Sequence, residues 1–464
     1  MPVLPAAGQR FDIDVPVLVI GAGAAGLVAG LTLKERGVNS VLLERDPLPR
    51  GSTALSSGMI PACGTRIQAA AGVEDTVDIM ARDIARKARD LADAPLTQAI
   101  CATSGPAIDW LCGAHGLELT LVEGFLYPGH SRLRMHAPPS RQGSDLMDGL
   151  SAAAARAGVD IMTEAHVCDL YADSAGKVRG VRVSRPDGAV ETIGCQALVL
   201  ACNGFGGNTA MVREHIPDMD DALYFGHAGN QGDAVLWGQE LGAQMRHLGS
   251  YQGHGSVAHP HGILISWALM MEGGIQLNGQ GQRFSNEHDG YSEQARRVLT
   301  QPGGIAWTIF DGRLRDLALG FEDYRQAEAL GAVLKAPDIA QLARLIGAPA
   351  DSVENTFAEV ARLATGSGVD RFGRDFASKP ALQAPLYAVQ VTGSLFHTQG
   401  GIVVDAGSRV LSVQGAPLPN LFACGGAACG LSGPQDWGYL SGNGLLSAVA
   451  LGRIAGKLAA ELVL

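Results

Sequence analysis

The 464-residue chain predicts an α/β fold interrupted by an inserted α+β unit. Three observations predict it. An apolar, β-branched run near the N-terminus passes directly into a glycine turn and a helix. Strand-like runs fill the middle of the chain and give way to a stretch richer in helices. From Leu395 onward, strand patterns return and feed a glycine turn and a long apolar helix.

Val15–Ile20 is too short for a helix and rich in β-branched residues, so it reads as a buried parallel strand. Gly21, Gly23 and Gly26 follow in G-x-G-x-x-G spacing, with Ala25 among them. Gly21 permits the tight turn, Gly23 admits a pyrophosphate close to the backbone, and Gly26 lets the helix lie tightly on the sheet. That helix, about 24–36, turns its free N–H groups and positive end toward the phosphates and stops at Gly37. A second strand, Val41–Leu43, ends in Glu44, whose carboxylate can accept from a ribose, with Arg45 beside it. Strand, helix and acid in this order give a Rossmann-like dinucleotide-binding start. Its place ahead of further glycine signals favours FAD over NAD.

The length is too great for one core and predicts two domains. Apolar residues make up 47% and charged residues 17%, an ordinary balance for a folded enzyme. The net charge is −11 and no basic arm stands out, which argues against a nucleic-acid partner. Eight cysteines show neither C-x-x-C nor zinc spacing, so no metal is expected and a reducing cytoplasm is. No secretory leader or membrane span is legible, and a cytoplasmic location is expected.

Residues 49–65 form a small, polar loop suited to run along a flat cofactor, with Ser52, Thr53, Ser56 and Gly58 offering hydroxyls and N–H groups. Helices are expected at about 75–93 and 97–116 and from near Ser144. Val159–Met162, Ala165–Tyr171, Val178–Ser184 and Val190–Gly194 read as a β-meander, before a further strand in 197–208 that closes on Asn203 and Gly204. A helix around Asp233–Gly242 follows. Residues 251–387 carry His254, His259, His261 and His288, then helices near 293–299, 325–333, 337–346 and 350–364. They read as a capping, substrate-facing domain inserted into an FAD-binding domain formed by 1–250 and 388–464.

Four stretches, GAGAAGL…LLE, ALVLACNGFGG, GGIQLNGQGQRFSNE and HTQGG…NLFACGG…GNGLLSA, occur in the order of the fumarate reductase/succinate dehydrogenase flavoprotein superfamily, which the chain resembles. The resemblance implies FAD contacts at Gly21, Gly23, Ala25, Gly26, Glu44, Arg45, Ser52, Thr53, Ser56, Gly58, Val167, Asn203, Gly204, Asp233, Gly425, Asn443, Leu445 and Leu446. Covalent members place a histidine in the loop matching 52–58. None is present, so non-covalent FAD is expected.

The departures from the family point to the chemistry. Two positions where fumarate reductases carry arginines are Tyr291 and Tyr439, and a familiar glutamate is Gly426. Loss of both guanidinium groups removes the bidentate clamps for a dicarboxylate. GYLSGNGLL at 438–446 is similar to the 3-ketosteroid dehydrogenase branch. The resemblance implies α,β-dehydrogenation of a ketone, a 3-ketosteroid or a smaller cyclic one, with hydride transfer to flavin N5 and an external electron acceptor. Tyr439 would stabilise the ketone oxygen, helped by a backbone N–H and by Ser441. Tyr291 would take the α-proton after its pKa is tuned down or its proton shared, and Tyr127 would relay it. His397 matches a substrate-binding histidine. The alternative is a reductase of an activated alkene, with Arg132, Arg134, His136 and Arg141 recognising a carboxylate.

Overall fold

The computed structural model describes residues 2–464. Its first sheet is the α/β one. Ile13–Ile20 lies between Ser40–Leu43 and Val190–Leu200, parallel to both, with Asp160–Met162 parallel beyond Ser40–Leu43. Val17, Leu18 and Val19 are fully buried, as a strand covered on both faces requires. Pro417–Ala423 adds in parallel on the far side of Val190–Leu200, bringing the C-terminal segment back to the N-terminal one.

The meander consists of His166–Ala172, Val178–Ser184 and the start of Val190–Leu200, all antiparallel. Two expectations are corrected here. Asp160–Met162 belongs to the parallel sheet instead of the meander. The strands expected at 190–194 and from 197 are one 11-residue strand. Its first half pairs with the meander and its second half with Ile13–Ile20 and Pro417–Ala423, so one straight run serves both layers. The helix expected over 75–93 is only Val77–Lys87. The Thr76 hydroxyl caps its start, and Arg89 and Asp90 take positive φ beyond its end. The loop at 49–65 contains a one-turn helix, Gly51–Ala54.

The second sheet has seven strands ordered around Leu386–Thr398, which pairs with Tyr251–Ala258 on one edge and Ile305–Asp311 on the other. It also takes in Leu223–Tyr224, ahead of residue 250. The expected boundary at 388 falls inside Leu386–Thr398. We therefore propose that the capping unit runs from about 251 to 398, with Leu223–Tyr224 joining its sheet and Asp233–Glu240 packing on the first core.

Two helices carry the cleft between the sheets. The fingerprint helix is Ala24–Glu35 and the C-terminal helix is Asn443–Val463. They run side by side in the same direction: a Cβ on Gly452 would lie 2.5 Å from the Ala25 carbonyl oxygen, and one on Gly456 would lie 2.6 Å from that of Ala29. The seam is closed by small residues, and the C-terminal helix starts about two turns ahead of the fingerprint helix, so their N-termini face different stretches of one cleft.

The Gly452→Val variant is expected to separate the helices and lower stability by about 1–3 kcal/mol, the usual range for overpacking. Gly113→Ala, where an added Cβ meets nothing within 4 Å, serves as the control. Chemical unfolding midpoints of the two variants check this.

Candidate active site

A continuous cleft of about 1830 Å³, counted to its open mouth, runs from the fingerprint turn to Tyr291 and Tyr439. At its first end Gly21 takes φ +99°, and a Cβ there would lie 2.6 Å from the Ala201 carbonyl oxygen. Glu44 is buried and accepts the Ala22 N–H at 2.9 Å and the Asp46 N–H at 3.2 Å. Burial raises its pKa although both N–H donors oppose this. Arg45 pairs with Asp233 at 2.8 Å, and His227 with Asp46 at 2.8 Å. The Ser52 hydroxyl accepts from the His227 backbone N–H at 3.0 Å and the Asn230 amide at 2.8 Å.

Gly21, Gly23, Ala25, Glu44, Arg45, Ser52, Thr53, Ser56, Val167, Asn203, Asp233, Gly425 and Leu445 all line the cleft. Gly26, Gly58, Gly204, Asn443 and Leu446 stand behind its wall. A Cβ at Gly26 would lie 1.9 Å from the Gly21 carbonyl oxygen, so this glycine lets the helix meet the turn. A Cβ at Gly58 would lie 2.8 Å from the Gln142 carbonyl oxygen, and one at Gly204 would lie 1.9 Å from the Thr398 hydroxyl. Leu446 is a core side chain. At Gly426 a Cβ would fall 2.0 Å from Asn203 Oδ1, so Asn203 occupies the space a glutamate there would need.

This chain fits FAD on grounds of its own. Neither Gly23 nor Gly442, the N-caps of the two parallel helices, offers a side chain, so the positive end of each helix faces the cleft without a capping side chain. Both side-chain polar atoms of Asn443 and the Ser447 hydroxyl are buried without a partner at one of those ends. Buried polar groups ordinarily find partners.

At the other end of the cleft three hydroxyls meet. Tyr291 is the first residue of the helix Tyr291–Leu299, and it lines this end of the cleft together with Tyr439 and Ser441. The two rings stand edge to face with centroids 6.0 Å apart. The Gly444 N–H donates to the Tyr439 oxygen at 3.4 Å, leaving the phenol proton free to point outward. Tyr127 and Ser266 line the same end of the cleft.

Of the two expectations for Tyr291, a lowered pKa or a shared proton, burial works against the first. Burial raises Tyr291 and Tyr439 well above ordinary phenols, and raises Tyr127 to about 12. The cause is the surroundings: ring faces and hydroxyls crowd these phenols, and the one cation that acts on them, Arg141 on Tyr127, does not offset the burial. Among the described residues lining the cleft, Arg45 is the only arginine or lysine, and it is already paired at the other end.

His397 also lines this end. Its Nδ1 lies 2.9 Å from the Gln399 amide, and a Cβ on Gly444 would lie 2.6 Å from its Nε2. Burial lowers it to about 4, so it is neutral at neutral pH.

The sequence reading missed His254. It is stacked on Tyr291 at 4.8 Å and on Phe396 at 5.3 Å, and burial lowers it to about 3. The missed signal was the alternation in Tyr251–Ala258. Gln252 and His254 face the cleft, while Gly253 and Gly255 let the helix Tyr291–Leu299 pack behind.

The basic cluster is also corrected. Arg134 is 1% exposed and held by Asp75 at 2.6 Å and Asp83 at 2.5 Å. His136 is buried against the Thr65 hydroxyl. The Arg132 guanidinium donates to the Glu74 and Ser131 carbonyls, and that of Arg141 lies over the Phe321 ring. None of the four lines the cleft. Among the described residues no group of three histidine, cysteine or acidic side chains is placed for a metal, and no helix is long and apolar enough to cross a membrane.

The family of FAD-binding domains matches residues 16–445. The chain belongs to that family. It is an FAD-dependent oxidoreductase acting on CH–CH groups, within the fumarate reductase/succinate dehydrogenase flavoprotein superfamily. It is 31% identical over 450 residues to a probable fumarate reductase of Shewanella frigidimarina, covering 96% of this chain and 74% of that one. It is 26% identical over 535 residues to 4-oxocyclohexanecarboxylate 2-dehydrogenase of Sinomonas cyclohexanicum, covering 92% of each. The fold is shared with the 3-ketosteroid-Δ4-(5α)-dehydrogenase of Rhodococcus jostii RHA1, with TM-score 0.78 and 24% identity over 99% of both chains.

Glu44→Ala would strand the Ala22 N–H beside the cleft. It is expected to weaken FAD binding by about 1–3 kcal/mol, the cost of an unmet buried donor. Fluorescence of released flavin on dilution measures this.

Proposed function

We propose that the enzyme desaturates an uncharged ketone at its α,β bond, a 3-ketosteroid or a smaller cyclic ketone, with FAD held non-covalently and an external acceptor taking the electrons. One observation carries the reading: the substrate end offers phenols and neutral imidazoles, and among the described residues no arginine or lysine side chain lines it. A carboxylate placed there would be buried without a partner, at a cost of several kcal/mol. The alternative alkene reductase needed the cluster at 132–141 to hold such a carboxylate, and Arg134 spends its charge on Asp75 and Asp83.

FAD supplies the two-electron acceptor for the hydrogen leaving the β-carbon. The protein's own work lies on the α side. The Tyr439 oxygen takes the Gly444 N–H, which polarises its O–H toward a ketone oxygen. The Tyr291 oxygen takes the α-proton from its minor phenolate form, whose own proton has already left to solvent, and returns to the phenol. Because burial disfavours that phenolate, only a small fraction of the enzyme carries the base at neutral pH, and the Tyr439 hydrogen bond stabilises the charge that builds on the ketone oxygen as the proton leaves. The similarity to a dehydrogenase named for a cyclic oxo acid supports a ketone. The neutral cleft separates this chain from that substrate's acid group.

Anaerobic mixing with 3-ketosteroids and cyclohexanones is expected to bleach the flavin, whereas succinate leaves it oxidised. Methyl 4-oxocyclohexanecarboxylate is expected to react faster than the free acid. Bleaching by succinate and by no ketone would overturn the reading. Tyr439→Phe is expected to slow bleaching about 10²–10³-fold, as loss of an oxyanion donor does elsewhere. Tyr291→Phe is expected to slow it about 10²–10⁴-fold, with FAD retained.

The pH dependence has a definite sign. A phenol raised above its ordinary value is deprotonated less often at neutral pH than a free one. The bleaching rate should therefore climb with pH and reach no plateau below about pH 10. A rate independent of pH in that range removes Tyr291 as the base.

A further inference from the structure

The buried group around Arg134 lies outside the cleft but touches the turn that carries Tyr439 and Ser441. Its contacts run in one direction. The Arg134 guanidinium, fixed by Asp75 and Asp83, approaches His130 Nδ1 at 3.3 Å. A guanidinium has no acceptor, so Nδ1 must present its lone pair. The proton is then on Nε2, which donates to the Ser441 carbonyl oxygen at 2.9 Å. Burial lowers His130 to about 4 and keeps this neutral form at working pH.

The segment bearing His130 is itself held down. Asp83 accepts the Ser131 N–H at 2.8 Å and its hydroxyl at 2.7 Å. Arg86 donates to the Gly129 carbonyl at 2.9 Å. A Cβ on Gly129 would lie 2.6 Å from Leu440 Cδ1, so this backbone presses directly on the residue between Tyr439 and Ser441. Beyond the same turn, Tyr439 and Ser441 line the cleft with Tyr291, whose ring centroid is 6.0 Å from that of Tyr439.

We propose that His130 is a positioning residue: oriented by Arg134, it grips the Ser441 carbonyl and sets where the Tyr439–Ser441 turn stands against Tyr291. This rests on the reading of that turn as the place where the ketone is held. A shift of about 1 Å in such a group costs about 100-fold in rate, and a single directed hydrogen bond from behind prevents it.

The test compares two amides of equal polarity and different reach. In His130→Gln the amide nitrogen extends about as far as Nε2 and retains a donor for Ser441. In His130→Asn it stops near Nδ1. Both variants are loaded with FAD and mixed anaerobically with saturating substrate. Substrate affinity is read from the flavin absorbance shift, and thermal midpoints are recorded. His130→Gln is expected within about threefold of the wild-type rate and His130→Asn about 10- to 100-fold slower, with FAD content and substrate affinity alike in both. Equal rates in the two variants, or a faster Asn variant, overturn the proposal. So does a loss of FAD or thermal stability in His130→Asn that accounts for its rate. Failure of the ketone reading is separate: it appears as wild-type flavin that no ketone bleaches. The Gln/Asn comparison is then made with whichever CH–CH substrate the wild-type enzyme turns over, and the same outcomes apply.

Discussion

The close approach of two parallel helices underlies the rest of the molecule. Ala24–Glu35 and Asn443–Val463 touch along a seam where Gly452 and Gly456 lie on the backbone of Ala25 and Ala29. Larger side chains would push the axes apart. Because the helices run the same way, both present uncapped N-termini to one cleft. One end of the chain thus serves the phosphate side of a dinucleotide, and the other places Asn443 and Ser447 with unmet polar atoms. The positive ends of two helices favour negative charge on a bound cofactor without any lysine or arginine being spent on it.

That economy of charge distinguishes the substrate end. Its polar groups are hydroxyls, amides and neutral imidazoles, packed among Phe396, Trp267 and Met59. Such a wall raises phenols and lowers histidines for the same reason, since it solvates no charge. Each polar atom there is more useful as an oriented dipole than as an ion. A carbonyl whose charge develops only in the transition state suits such a site, and a standing carboxylate does not.

The chain's buried charges are set behind the site. Arg134 with Asp75 and Asp83 backs the Tyr439–Ser441 turn. Arg283 with Glu287 and Asp370 anchors the loop that leads into Tyr291, and Arg374 joins Glu287 at 3.0 Å. Breaking such a group leaves an unpaired buried ion, so these pairs resist local rearrangement. The R-F-S-N-E stretch is accordingly a support for Tyr291 and makes no contact with the cleft.

What the sequence determined by itself was local and periodic. The fingerprint strand, its glycine turn and Glu44 follow from β-branching and spacing, because short-range sterics leave few other conformations. The presence of tyrosines at 291 and 439 was equally legible, as was the absence of arginine there. Tertiary structure decided everything that depends on what lies on the far side of a residue. Arg134 and Arg132 are alike in a string of letters, yet one is sealed between two carboxylates and the other reaches neighbouring carbonyls. His254 became part of the site only because alternate glycines let a helix pack behind its strand. That burial works against a lowered pKa at Tyr291 was hidden for the same reason. A titration depends on the dielectric and charges within a few ångströms, and residues distant in sequence supply those.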